Sequence, residues 1–198
     1  MPPRRLFRRT LRGERRGHRL IQPLGISARR ELRRANRLIE KGEHANAAVI
    51  FEQLANTARD LGLSRRAAHL YLQAGRAQAL SGDPKAAQPL LIRGLELLSQ
   101  SQGAAALNAS GLILLDELRS LGYDDLTKQI GDWLSQRGVT LPVEQGEAAR
   151  DSIRQPMGGR LPLICPQCGA PLRPGEVEWL DDHTATCPYC GSPVQEES

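Results

Sequence analysis

The chain reads as mainly α: antiparallel helical hairpin repeats followed by a small β module. Three observations carry that reading. Gly42, Gly82 and Gly122 recur forty residues apart, with helical patterning on both sides. The only cysteines, Cys165, Cys168, Cys187 and Cys190, come late as two C-x2-C pairs separated by eighteen residues. Thirteen arginines crowd residues 1–37 against Glu14 and Glu31, a net of +11, so the remainder carries −6 of a total of +5.

Residues 1–26 read as an Arg-rich arm, disordered when free, because few apolar residues interrupt the charge. Arg4, Arg5, Arg8, Arg9, Arg12, Arg15, Arg16 and Arg19 are its candidate polyanion contacts, and Arg29, Arg30, Arg33, Arg34 and Arg37 continue the positive face along the first helix. Such an arm suits nucleic acid, by counterion release, or an anionic membrane surface. It equally suits a solubilising tail or a contact with the acidic remainder. Leu6, Phe7, Leu11, Leu20 and Ile21 are too sparse for a membrane-binding face, and few aromatics are available for base stacking. The segment lacks the apolar core of a signal peptide, and no transmembrane segment is expected.

Residues 27–137 read as about three helix pairs. The glycines head similar phrases, Lys-Gly-Glu-His, Ser-Gly-Asp-Pro and Leu-Gly-Tyr-Asp, and are expected to end the first helix of each pair in the left-handed conformation. Asp83-Pro84 then restarts the chain with a side-chain cap and a proline in the first turn; Ser27 and Ser64 are expected as caps for the first helices of units one and two. Ala47 and Ala87 let antiparallel helices approach, and Phe51 and Leu91 fill the groove one turn later. Tyr123 and Trp133 pack the last hairpin. His44 and His69 read as surface or core-edge histidines. An ordinary six-helix bundle is the alternative to stacking.

Several positions bear a family resemblance. Tyr71, Ala74, Gly75, Gln78, Ala87 and Leu91, with Ala35, Ala47, Phe51 and Leu54 in the first unit and Leu115, Thr127 and Gly131 in the third, resemble the signature positions of tetratricopeptide repeats. The resemblance covers roughly residues 27 to 137. The period exceeds the usual ~34 residues, and the family's tryptophan and closing proline are missing.

Residues 138–160, with Gly158-Gly159 and Pro156, read as a linker, and 161–198 as the β module with a short acidic tail. Each cysteine pair sits in a Cys-Pro-x-Cys-Gly knuckle, where glycine at φ > 0 turns backbone N–H groups toward sulfur. The spacing matches a four-thiolate zinc site. Two disulfides and a redox dithiol are the weaker readings. Iron is a third, since the knuckles resemble those of rubredoxin, but the intervening segment is shorter and lacks its aromatics. Residues 175–180 alternate like a strand, Asp181-Asp182-His183 turns, and Thr184 to Thr186 returns; His183 is a spare candidate ligand. From Leu161 to Val194 the chain resembles the zinc ribbon family, which implies one structural Zn2+ on the four cysteines. Zinc ribbons bind nucleic acid, bind protein or merely staple, so the resemblance leaves purpose open.

No paired-carboxylate motif, nucleophile elbow or phosphate-binding glycine loop is present. The expected protein is a cytoplasmic, bacterial-style, non-enzymatic adaptor: the repeats present a concave groove for a protein or peptide, and the ribbon adds a second contact or cap. The alternative is a nucleic-acid-associated protein using the arm and the ribbon. An enzyme with a hidden site is a third hypothesis, to be revived by iron or by zinc with an open coordination position.

Overall fold

The computed structural model describes residues 25–139, 161–173 and 176–196. Arg4, Arg5, Arg8, Arg9, Arg12, Arg15, Arg16 and Arg19 lie outside the described residues, as does nearly all of the expected linker. Six helices come first: α1 (Ile26–Glu40), α2 (His44–Asp60), α3 (Ser64–Leu80), α4 (Pro84–Gln102), α5 (Ala104–Ser120) and α6 (Asp124–Ser135). Three short strands follow: β1 (Glu178–Trp179), β2 (Thr184–Thr186) and β3 (Pro193–Gln195).

Each helix packs on the next in hairpin fashion, and α4 also meets α6. The turns share one construction. Gly42, Gly82 and Gly122 take φ of +77°, +87° and +78°, as expected, and Gly62 does the same at +73°. The residue after each glycine donates its N–H to a carbonyl five positions back: Glu43 to Leu38, Leu63 to Ala58, Asp83 to Gln78 and Tyr123 to Leu118. This is the Schellman closure, in which a left-handed residue lets two orphan carbonyls be satisfied before the chain reverses. The helices therefore turn over about every twenty residues, half the spacing read from Gly42, Gly82 and Gly122. Only the α4–α5 junction departs: Gly103 (φ +84°) alone closes one helix and opens the next.

This closure explains why the expected serine caps are absent. The residue following each turn glycine is itself the N-cap of the next helix, so α3 is capped by Leu63 and Ser64 is already helical. Gly25 precedes α1, placing Ser27 inside it, and neither helix has a side-chain cap. Asp83 behaves as expected: its Oδ1 accepts from the Ala86 N–H at 3.0 Å, and Pro84 follows at the first helical position.

Small residues set the helix crossings. Ala47, Ala87, Phe51 and Leu91 are all buried. At the α3–α4 crossing a Cβ placed on Gly75 would lie 2.6 Å from Leu91 Cγ, and one on Gly94 would lie 2.8 Å from Leu72 Cγ. These glycines are there because backbone must approach side chain. Tyr123 and Trp133 are half-buried against the cluster built from α3 to α6; the Tyr123 hydroxyl donates to the Ala79 carbonyl at 2.6 Å, and the Arg137 guanidinium stacks 3.7 Å from the Trp133 ring.

The sheet is antiparallel in the order β1-β2-β3, with Glu178 opposite Thr186 and Ala185 opposite Val194. The return strand and the turn at 181–183 match expectation. The first strand is shorter than the 175–180 alternation suggests. Glu176 instead enters a turn, its N–H bonded to the Arg173 carbonyl, and its side chain points into a buried ion cluster. β3 is additional: starting at a proline and running three residues, it carries almost no strand signal. Among the described residues no helix is long and apolar enough to cross a membrane.

Gly75→Ala should destabilise the protein by about 1–3 kcal/mol through overpacking against Leu91. Gly82→Ala, with open space at the Cβ position, should cost about 1–2 kcal/mol through backbone conformation alone. Urea denaturation of both variants checks the contrast.

Candidate metal centre

The two knuckles are built on the same plan. Gly169 N–H donates to the Cys165 carbonyl at 2.8 Å and Gly191 N–H to the Cys187 carbonyl at 2.9 Å. In return Cys165 N–H donates to the Ala170 carbonyl and Cys187 N–H to that of Ser192, at 2.8 and 2.9 Å. Both glycines hold positive φ, +74° and +72°, which lets five residues close into a loop with both thiols facing inward. The bridge between Ile164 and Pro171 ties the first knuckle; β2 and β3 flank the second.

The four sulfurs converge. All lie within 4.8 Å of one another, and all four residues are buried. Sulfurs ~2.3 Å from a central tetrahedral ion sit about 3.8 Å apart. Cys165 and Cys190 sulfurs are 3.8 Å apart, and so are those of Cys168 and Cys187. The cysteines are free thiols, so the disulfide reading fails. Four soft donors at tetrahedral spacing fit a metal ion such as zinc or iron. Hydrogen bonds from its neighbours, Cys165 foremost, hold Cys190 well below the ordinary thiol range, while sulfur contacts push Cys168 and Cys187 above it. A divalent cation held between the sulfurs would make all four of them thiolates.

The cluster is mounted on the helices. Asn36 of α1 donates to the Cys168 carbonyl at 3.0 Å, and Arg33 donates to that of Gln167 at 2.7 Å. Tyr189, inside the second knuckle, is fully buried; it accepts from Gln73 of α3 at 2.7 Å and donates to Glu176 at 3.2 Å. Glu176 meets Arg76 of α3 at 3.3 Å, and Arg76 meets Glu117 of α5 at 2.7 Å. Arg173 pairs with Glu117 and also reaches Glu176. Burial opposes the charges, yet each is outweighed by its partners: Arg76 and Arg173 hold the Glu176 carboxyl below its usual range, and the two glutamates hold Arg76 above its own. Arg65 of α3 pairs with Glu178 at the rim. The module thus lies against α1, α3 and α5, the first helices of the three pairs. Its cysteines, Ala170, Leu172, Tyr189 and Val194 join Leu32, Ala35, Leu70 and Ala74 in one apolar core.

The structure unites the four cysteines as the spacing implies. His183 is exposed in the hairpin turn and paired with Glu196, apart from the sulfurs. His44 opens α2. His69 is 2 % exposed and meets Tyr189 edge-on, with ring centroids 6.0 Å apart. Asn36, Gln73, Arg76, Glu117, Arg173 and Glu176 were not legible as a set, because sequence separations of 41 to 132 residues leave no local pattern. The one hint was an aromatic, Tyr189, inside a metal knuckle.

No family model, curated protein or solved structure matches this chain.

Removing Arg76 leaves the buried Glu176 to the longer Arg173 contact and the Tyr189 hydroxyl, so Arg76→Met should cost about 3 kcal/mol, and the double variant Arg76→Met/Glu176→Gln should recover part of it. Thermal unfolding of the two variants measures this. Burial lowers His69 to about 4, so the unfolded chain binds its proton first as pH falls. That contribution is present above the ordinary histidine range and is lost as pH drops toward 4. Between pH 7.5 and 5.5 wild type should lose roughly 1 kcal/mol more than His69→Phe in paired denaturation curves.

Proposed function

We propose that this chain is a non-enzymatic protein-interaction adaptor: a tetratricopeptide-like helical scaffold carrying a zinc ribbon with one structural Zn2+ on Cys165, Cys168, Cys187 and Cys190. The observation that carries the reading is the mount itself. The first-helix face of the scaffold holds a folded module through buried ion pairs and side-chain-to-backbone hydrogen bonds, the contacts by which helical repeats grip polypeptide. Four thiolates complete the coordination of zinc and leave no position for water or substrate, which supports a structural role. The ribbon lies on that first-helix face and covers part of the surface expected to present the groove. A protein partner then engages the scaffold and ribbon as one combined surface. Reduced thiols suit the cytoplasm.

Metal-binding energy is folding energy for a module of this size. Elemental analysis should find about one zinc per chain; iron would replace the zinc assignment. Cys187→Ser should release the metal and retain most helicity, with hydrogen-exchange protection falling in α1 and α3 more than in α6. The adaptor role is tested by crosslinking capture in the native cell. A protein recovered with wild type and lost with Cys187→Ser supports it; recovery of no protein, or the same set from both, counts against it.

A further inference from the structure

A second surface stands beside the metal centre and shares Arg33, Asn36 and the first knuckle with the mount just described. Between α1 and the first knuckle lies a cleft of about 500 Å³, walled by Arg30, Arg33 and Arg37 on one side and by Ile164 and Pro166 on the other. Glu40 is the one carboxylate on its lining. Arg33 is committed to the Gln167 carbonyl through its Nε. Arg30 and Arg37 are exposed, and among the described residues neither makes an ion pair. Spacings of three and four residues set the arginines about 4.5 and 6 Å apart along one helix face, a line of charge roughly 10 Å long.

The residue type narrows the partner. Residues 1–40 hold thirteen arginines and no lysine. A bare requirement for positive charge would be met by either residue, whereas the planar guanidinium fork matches the two oxygens of a phosphate. In single-strand binders a positively charged groove tracks the backbone, and this cleft supplies that element without stacking aromatics. Anionic membranes also attract clustered basic residues, but a cleft walled on one side by the first knuckle suits a strand better than a flat surface. The opposite wall is rigid, because the first knuckle is closed by its own backbone bonds and by Asn36.

We propose that this cleft seats the phosphate backbone of a single-stranded nucleic acid, with Arg30 and Arg37 as its phosphate contacts. The metal-loaded full chain tests it, by fluorescence anisotropy with a labelled oligothymidylate of about 20 nucleotides across a salt series. Arg30→Gln/Arg37→Gln should weaken binding roughly tenfold or more. It should also make the slope of log K against log salt shallower by about 1.4, the value for two lost single-strand phosphate contacts. Unchanged metal content and helicity confirm that the variant is folded. An unaltered affinity and slope would overturn the proposal. So would equal displacement of the oligonucleotide by polyglutamate at matched charge, or binding to phosphatidylserine vesicles in place of the oligonucleotide. Because the variant leaves the ribbon mount intact, the result is independent of the adaptor reading.

Discussion

The convergence of four sulfurs is the constraint on which the rest of the C-terminal structure depends, and through it one side of the helical stack. The described part of the module has three strands of two or three residues each. So little sheet cannot bury enough apolar surface to hold its own shape. Bringing Cys165 near Cys190 and Cys168 near Cys187 superposes the two knuckles. That crossing places Tyr189 and Glu176 against α3, and the first-knuckle carbonyls against α1. A metal held by the four sulfurs would make metal affinity, module fold and helix docking one cooperative unit.

The contacts of that unit divide into two kinds. Apolar burial around Leu70, Ala74, Tyr189 and Val194 is non-directional and supplies adhesion. The Arg76–Glu176–Arg173–Glu117 cluster supplies orientation. Burying ions costs several kcal/mol each before their attraction offsets it, so such a cluster adds little net stability. Its consequence is selectivity: a module shifted by one helical turn would part Glu176 from Arg76 and leave the buried carboxylate only Arg173, which travels with it. Gln73 and Asn36 enforce the same register by neutral hydrogen bonds. Two independent sets of polar contacts thus specify a single docking pose on a surface that apolar packing alone would leave slippery.

Features with local causes were legible in the sequence. Gly42, Gly82 and Gly122 mark turns because left-handed backbone is a property of one residue, and the cysteine knuckles announce themselves because ligand spacing is short. Asp83-Pro84 was readable for the same reason. What stayed hidden has non-local causes. Gly75 is small because Leu91, sixteen residues on, presses against it. Ser64 is not a cap because the closure at Gly62 hands that position to Leu63. Glu176 looks like an alternating strand residue until Arg76, a hundred residues earlier, draws it inward.

The charge asymmetry gains meaning from this geometry. At its mount the module sets Glu176 and Glu178 against Arg76 and Arg65 of α3, and Arg173 against Glu117 of α5, balanced pair by pair. Arg66, buried beside Gly191, brings positive charge to the second knuckle, where thiolates would otherwise accumulate negative charge. Those arginines are consumed internally. The row on α1 is different: Arg34 meets Glu31, Arg33 meets a knuckle carbonyl, and Arg30 and Arg37 face the cleft with their charge unspent. A ligand for the mount would have to displace the module and leave buried ions unpaired, whereas a ligand for the cleft displaces only water. By linkage, a ligand in the cleft would favour the docked module that forms its second wall, and with it any metal held by the four sulfurs. Phosphate recognition at α1 and thiolate ligation at the knuckles would then be two readings of one folding equilibrium.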